Sequence, residues 1–196
     1  MRDKGQVGLG RRAYVITLAA TLTSLTPRTV DAQADITVTE HSFDCIRNGT
    51  KVRNTYIKNV DPKLLAEAVR IFRDRVPNVD YPVGTLLQLI PTEAMVKHTR
   101  TWLPATHGWE FFALELSAHG TKIKARGDSV KNFVGVPCFS CHQAGARFDF
   151  VCEKNHGCAP IPVDDKMIAE RQQADPRCSG DAAPDTKKSR ESKGRE

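Results

Sequence analysis

Apolar residues recur at every third or fourth position after Asp61. This spacing is typical of an amphipathic helix that buries one face. Asp61 is a favourable N-cap residue, and Pro62 is a favourable first helical residue. We therefore predict one helix that begins at Pro62, ends before Pro77 and buries its apolar stripe in the core. The stripe consists of Leu64, Leu65, Ala68, Val69 and Phe72.

Beyond Tyr81 the apolar residues alternate with a period of two, which is typical of β-strands. We predict strands over residues 85–90, 92–97, 109–116 and 121–126. The third of these is apolar on both faces, so we expect it to be central. Its two faces carry Trp109, Phe111 and Ala113 on one side and Phe112, Leu114 and Leu116 on the other. The predicted fold class is α+β, a small antiparallel sheet packed with a few helices.

The segments that flank this predicted sheet carry fewer apolar residues. We interpret residues 35–60 as a mixed, polar lead-in and residues 35–163 as the folded domain. We assign residues 164–196 to a polar, largely disordered tail, in which residues 165–173 can form one short helix. Residues 179–196 contain no large apolar side chain, so they lack the material for a core.

The N-terminus has the three parts of a secretory signal peptide. A stretch with four basic residues precedes the uncharged, mildly apolar run 13–25, and Ala32-Gln33-Ala34 follows as a small-residue cleavage site. We predict that residues 1–34 are removed and that the mature chain begins near Asp35 in the periplasm. The chain would then meet the membrane only through this segment before cleavage. The alternatives are an uncleaved anchor and twin-arginine export through Arg11-Arg12.

Composition bounds the size and the partners of the chain. It has 196 residues, of which 40% are hydrophobic, enough for one domain with a packed core. The net charge is +6, and removal of residues 1–34 leaves 24 basic and 21 acidic residues, a net charge of +3. A charge this small without a basic cluster argues against nucleic acid as a partner.

Residues Cys138-Phe139-Ser140-Cys141-His142 form a C-x-x-C-H motif, the attachment signature of c-type haem. Two thiols one helical turn apart add to the vinyl groups of the haem, and the adjacent imidazole becomes the proximal iron ligand. We predict one covalent haem c, bound by Cys138 and Cys141, with His142 as the metal ligand. A redox dithiol is one alternative, but the chain lacks its βαβ unit. Half of a zinc site is the other, but a second C-x-x-C or a close histidine pair is lacking.

Four cysteines lie outside the motif: Cys45, Cys152, Cys158 and Cys178. An even number in an exported chain favours two disulfides, and three pairings are open. Cys152 with Cys158 would close the turn-rich loop between them, and Cys45 with Cys178 would then tie the two ends of the domain together. The alternative is that one or more thiols stay free.

A sheet-rich domain that ends in this motif resembles the cytochrome P-460 and beta-type cytochrome c-prime family. The resemblance spans about residues 60–152. The matching stretches are residues 81–85, 109–112, the turn at Gly120, 138–142 and 149–151. The segment 152–162 has no place in that family's pattern.

This resemblance implies an antiparallel sheet and helices around a five-coordinate haem. It also implies chemistry with small nitrogen compounds, namely hydroxylamine oxidation in one branch and nitric oxide binding in the other. The hydroxylamine-oxidising branch has a haem-linked lysine on the strand after the Pro-x-Gly turn. Residues 85–90 contain no lysine, and the nearest is Lys97, so we do not transfer hydroxylamine oxidation to this chain.

The side of the iron opposite His142 decides the function. An apolar cap leaves the iron open to diatomic gases, whereas a methionine, histidine or lysine closes it. Phe111 and Phe112 are the candidates for this cap and for contact with the haem, with plain core as the alternative for each. The candidate sixth ligands are Met95, His98 and His107, with a structural or exposed position as the alternative for each. The candidate proton donors are Glu110 and Glu115, with an exposed strand edge as the alternative.

Three functions are compatible with these residues. The first is an exported haem protein that binds or redox-processes a small ligand, such as nitric oxide or another nitrogen compound, at an open iron. The second is a six-coordinate electron-transfer cytochrome with a redox partner protein, although the methionine downstream of the motif, Met167, lies in the polar end region. The third is a disulfide-stapled binding module in which the motif is incidental. We expect the first, because strands precede a late haem motif.

Overall fold

A computed structural model describes residues 34–181 of the chain. The predicted signal peptide, residues 1–34, lies outside the described residues apart from Ala34, and so do residues 182–196. Within the described part the fold is α+β, as predicted, with six antiparallel strands in one sheet and three α-helices. No helix in this part is long and apolar enough to cross a membrane.

The sheet is a meander in which each strand pairs with the next one along the chain. The strands are β1 (Thr50–Val52), β2 (Thr55–Lys58), β3 (Leu86–Gln88), β4 (Glu93–Lys97), β5 (Trp109–Ser117) and β6 (Gly120–Gly127). The four predicted strands are all present as β3 to β6. Because β5 pairs with both β4 and β6, the prediction that it is internal is confirmed.

The β1–β2 hairpin is the element that the sequence pattern did not predict. The supposed lead-in, residues 35–60, contains this hairpin and two 3-10 helices, Glu40–Ser42 and Ile46–Asn48. Strands of three and four residues are too short to show a period. They are held by pairing with the rest of the sheet, since β2 pairs with β3.

The first helix, α1, spans Pro62–Asp74 and confirms the predicted start and stop. The Asp61 side chain accepts hydrogen bonds from the backbone N–H groups of Lys63 (2.7 Å) and Leu64 (3.3 Å). The helix ends at Arg75, whose φ of 51° is left-handed. Its buried residues are Ala68, Ile71 and Phe72.

Apolar clusters cover both faces of the sheet, and alternation along β5 distributes its side chains between them. Trp109 and Phe111 belong to the cluster that includes α1 and Met95 of β4. Phe112 belongs to the cluster on the other face, together with Phe43. We call the face that carries Trp109, Phe111 and Met95 the near face, and the face that carries Phe112 the far face.

The packed fold continues into residues that the sequence assigned to the disordered tail. The predicted short helix is present as α3, Asp165–Gln173, and it belongs to the domain. Gln172 is buried, and its Nε2 donates to the Asn54 carbonyl (2.6 Å). Ordered packing therefore passes the expected domain end at residue 163 and reaches Cys178. Hydrogen bonds and a disulfide hold this segment in place. Because the segment is low in hydrophobic residues, the sequence pattern did not indicate that it belongs to the domain.

The four cysteines outside the motif form two disulfides, which confirms that expectation. Cys45 pairs with Cys178 at a Cα–Cα distance of 4.8 Å, and Cys152 pairs with Cys158 at 5.7 Å. One of the three possible pairings is thereby selected. The two cysteines of the motif remain unpaired.

Candidate functional site

The C-x-x-C-H motif forms the short helix α2, Cys138–His142, against the near face of the sheet. The loop before it is closed by Asn132, whose side-chain oxygen accepts the N–H of Val136 (3.0 Å). The N–H of Cys138 donates to the carbonyl of Val130 (2.9 Å), which ties the start of α2 to the segment after β6. The two thiols are therefore held one turn apart, and both residues are partly exposed.

One hydrogen bond orients the imidazole of His142, because its Nδ1 lies 2.7 Å from the carbonyl oxygen of Phe150. A carbonyl only accepts, so Nδ1 carries the hydrogen and Nε2 keeps its lone pair. Burial lowers the pKa of His142, although this hydrogen bond opposes the shift, so the ring is neutral at neutral pH. A neutral imidazole held at Nδ1 is the form that binds a metal through Nε2.

A row of aromatic rings lies beside His142. Its ring meets Phe111 edge-on, with 5.1 Å between centroids, and Phe111 lies 6.2 Å from Phe139. Phe139 packs 5.5 Å from Phe150, which in turn lies 4.5 Å from the ring of His107. We call Phe111, Phe139, Phe150 and His107 the aromatic wall. It gives the motif the apolar surroundings that cofactor sites require.

The two predicted cap residues lie on opposite faces of the sheet. Phe111 is at the motif, where its ring contacts the imidazole of His142 directly. Phe112 lies on the far face, where its ring is 4.9 Å from that of Phe43. Phe112, predicted beside the motif, is therefore separated from it by the sheet, because neighbouring residues of a strand face opposite sides.

Other candidates also lie away from the motif. His98 is buried on the far face with both nitrogens engaged, Nδ1 with Asp35 at 2.9 Å and Nε2 with Glu110 at 3.0 Å. Glu110 pairs in addition with Arg126. Glu115 is exposed to solvent. This placement separates the proposed ligand His98 and the proposed proton donor Glu110 from the motif by the thickness of the sheet.

Two candidate sixth ligands remain on the near face. Met95 pairs with Phe111 across β4 and β5 and is buried in the same cluster. His107 is partly exposed at the end of the aromatic wall. These two side chains, rather than His98, are the ones that the fold brings to the side of the sheet that carries α2.

Glu93 is a carboxylate at the motif that the sequence interpretation missed. Its Oε1 accepts the N–H of Phe133 (2.7 Å), and burial raises the pKa of Glu93. Burial, reinforced by the charge of Glu93, raises the pKa of Cys138 to about 12. Reactive dithiols need a lowered thiol pKa, so this setting disfavours the dithiol alternative. The available signal was the alternation that places Glu93, Met95 and Lys97 on one face of β4.

Asp149 is a second missed residue, and it holds the backbone next to Phe150. Its Oδ2 accepts from the N–H of Tyr81 (2.9 Å), and its Oδ1 accepts from Nζ of Lys97 (2.8 Å). Its carbonyl accepts from the indole N–H of Trp109 (2.7 Å). Burial raises the pKa of Asp149, although Lys97 opposes the shift. The partners of Asp149 come from three separate stretches of chain, so no local sequence pattern indicates this role.

These features fit a covalently bound haem. Two unpaired thiols lie one turn apart, an oriented imidazole keeps Nε2 free, and an aromatic wall lies beside them. For the zinc alternative, the fold brings no further ligands to the two thiols among the described residues. Residues 34–181 contain no group of three or more His, Cys, Asp or Glu side chains placed to hold a metal ion.

Comparison with known proteins finds no match for this chain among family models, curated proteins or solved structures. The resemblance to the cytochrome P-460 and beta-type cytochrome c-prime family therefore stays a prediction, and the site geometry is the basis for a functional proposal.

Proposed function

We propose that this chain is an exported mono-haem c-type cytochrome whose iron binds or redox-processes a small ligand, such as nitric oxide or another nitrogen compound. The observation that carries the proposal is the pair of unpaired thiols on one helix beside an imidazole held at Nδ1 and free at Nε2. Two disulfides in the same domain support an oxidising, periplasmic location.

Each residue of the site has a distinct role in this proposal. Cys138 and Cys141 hold the haem through thioether bonds, and His142 is its proximal ligand. When bound, the haem supplies an iron centre that coordinates small molecules and exchanges electrons. The carbonyl of Phe150 orients His142, and Phe111 packs against its ring and restricts its rotation. The aromatic wall supplies apolar surroundings on this side of the imidazole.

An open iron is supported by the engagement of two side chains, His98 and Lys97, that could otherwise close it. His98 uses both nitrogens in hydrogen bonds on the far face. Lys97, the lysine nearest to the strand of the resemblance, is paired with Asp149 and is not free to bond to a haem. This favours ligand binding, as in the nitric oxide branch, over chemistry that depends on a haem-linked lysine.

A six-coordinate electron carrier with a redox partner protein is the second candidate. The buried position of Met95 on the near face favours it, because a thioether is a common sixth ligand in such carriers. Met167 does not favour it, since this side chain is exposed on α3.

An absorption spectrum distinguishes these candidates. The full chain is expressed with haem-attachment machinery, and the purified mature protein is measured in the ferric and ferrous states, before and after addition of nitric oxide. We expect a high-spin ferrous spectrum that shifts when the gas is added. A low-spin spectrum that does not change with the gas would support the carrier, with Met95 or His107 as the sixth ligand. A colourless protein would contradict both candidates.

Cysteine substitutions test the attachment site directly. Cys138→Ala combined with Cys141→Ala should abolish haem staining on a denaturing gel. The matched control is Cys152→Ser combined with Cys158→Ser, which removes the same number of cysteines from the same domain and should retain the stain. Covalent haem in the first double variant would contradict the assignment of the motif.

A further inference from the structure

We infer that the buried ion pair between Lys97 and Asp149 positions the proximal ligand of the proposed haem by fixing the carbonyl group of Phe150. The inference rests on the proposed function and extends it. It makes Lys97 and Asp149 positioning residues, because they act on the iron site only through His142.

The ion pair is buried on the near face of the sheet. The Lys97 side chain is 3% exposed and that of Asp149 is 2% exposed. Nζ of Lys97 also donates to the carbonyl of His107 (2.8 Å) and lies 5.2 Å from the centre of the Trp109 ring. A pair this deeply buried adds little stability compared with apolar side chains of the same volume. Its distinct effect is to fix the direction of the groups bonded to it.

Asp149 is held at three separate atoms, which fixes the peptide units around it. Its two carboxylate oxygens accept from Lys97 and from the N–H of Tyr81, and its carbonyl accepts from the indole N–H of Trp109. The chain here has positive φ at two successive residues, 51° at Asp149 and 61° at Phe150. Positive φ is uncommon outside glycine and persists only where the surroundings support it. The three bonds to Asp149 supply that support.

This turn ends at the carbonyl that accepts the hydrogen of His142 Nδ1, at 2.7 Å. The hydrogen bond at Nδ1 sets the orientation of a ligating imidazole and the basicity of its Nε2. Loss of the ion pair would therefore loosen the turn, weaken this hydrogen bond and reduce the electron donation from His142. Attachment through Cys138 and Cys141 would be unaffected, because it depends on the thiols.

The test compares the wild-type holo-protein with Lys97→Met and with Asp149→Asn. The readouts are covalent haem on a denaturing gel, the iron–histidine stretching frequency of the ferrous protein and the midpoint potential of the haem. We expect both variants to keep covalent haem, to lower the stretching frequency and to raise the midpoint potential. The matched control is Glu110→Gln, which removes a buried carboxylate from the far face. This variant should leave the stretching frequency and the midpoint potential unchanged.

Lys97→Met and Asp149→Asn each leave one buried charge without its partner, and this can prevent folding. A third variant therefore tests the inference without changing any charge. Trp109→Phe removes the N–H donor to the Asp149 carbonyl without changing any charge, and a smaller shift in the same direction is expected. Unchanged frequency and potential in the haem-bearing variants would overturn the inference and leave the proposed function standing. An equal shift in Glu110→Gln would also overturn it. Wild-type protein without covalent haem would instead refute the proposed function.

Discussion

The tautomers of His142 and His156 are set by the group that Nδ1 of each ring meets. His142 and His156 both place Nδ1 against a backbone carbonyl, at 2.7 Å from Phe150 and 2.8 Å from Val151. Both rings therefore keep a lone pair at Nε2, and that of His156 is buried without a hydrogen-bond partner among the described residues. Only His142 adjoins the two free thiols, so His156 provides a matched control.

Substitution of His142 tests the proximal ligand. His142→Ala should leave the haem attached, because the thioether bonds depend on the cysteines, but it should change the ferric and ferrous absorption spectra. His156→Ala should leave those spectra as in the wild type. A His142→Ala protein with unchanged spectra would remove this residue as the iron ligand.

Asp175 is a buried carboxylate whose charged form is stabilised by the fold. Burial on its own would raise the pKa of Asp175, but hydrogen bonds from Arg177 and from the N–H of Ile46 (2.9 Å) outweigh that effect. The pKa in the folded state therefore lies below its ordinary value of 3.8. The stability that Asp175 contributes is present above pH 3.8 and is lost as the pH falls through the lowered pKa.

Asp175→Asn should lower the free energy of unfolding at neutral pH by about 3–5 kcal/mol, because it leaves Arg177 buried without its ionic partner. The difference from the wild type should narrow at acid pH, where Asp175 of the wild type is itself protonated. Urea unfolding over a pH series measures this, with the exposed Asp128→Asn as the control of no expected effect. A difference that does not depend on pH would show that the ion pair is not its source.

At the scale of elements, the helices α1 and α2 begin in different ways. The N-cap side chain of Asp61 binds two N–H groups of α1, whereas α2 has no side-chain cap. The start of α2 depends instead on the preceding loop, through the bond from Cys138 to the Val130 carbonyl. The start of α1 is thus set locally, and the start of α2 is set by the fold.

Asp61→Ala should lower the free energy of unfolding by about 1 kcal/mol, since two N–H groups lose their acceptor. Asp61→Asn should retain most of that stability, because an amide oxygen also caps a helix. Urea unfolding measures both variants. A loss as large in Asp61→Asn as in Asp61→Ala would contradict a capping role for this side chain.

At the scale of the whole molecule, the two disulfides close loops of very different length. Cys45 and Cys178 are 133 residues apart, whereas Cys152 and Cys158 are 6 residues apart. The first bond joins the start of the sheet domain to the segment after α3. It therefore restricts the unfolded chain far more than the second bond does.

Replacing Cys45 and Cys178 by serine should lower the free energy of unfolding by about 5 kcal/mol on the loop-entropy relation. The same change at Cys152 and Cys158 should cost about 2 kcal/mol. Urea unfolding of the two double variants under oxidising conditions tests the order. Equal losses would show that loop length is not the dominant factor here.

Much of this molecule follows from local patterns along the chain. The bounds of α1 and the places of β3 to β6 are predictable because a helix stripe and strand alternation are properties of consecutive residues. The C-x-x-C-H motif is equally local, since its three functional residues occupy one helical turn. The even number of remaining cysteines favours two disulfides, as found. The short β1–β2 hairpin is not predictable in this way, because its strands are too short to show a period.

The amino-acid sequence alone specifies the chemistry that residues 138–142 offer and the kinds of element around them. Contacts between distant residues specify which side chains lie near the motif. Glu93 and Phe111 lie beside α2, Phe112 and His98 lie on the far face, and Asp149 is bound to Lys97. The physical reason is that alternation along one strand shows which residues share a face but does not show which face meets α2. The register between strands and the packing of α2 determine this, and both depend on contacts between distant residues.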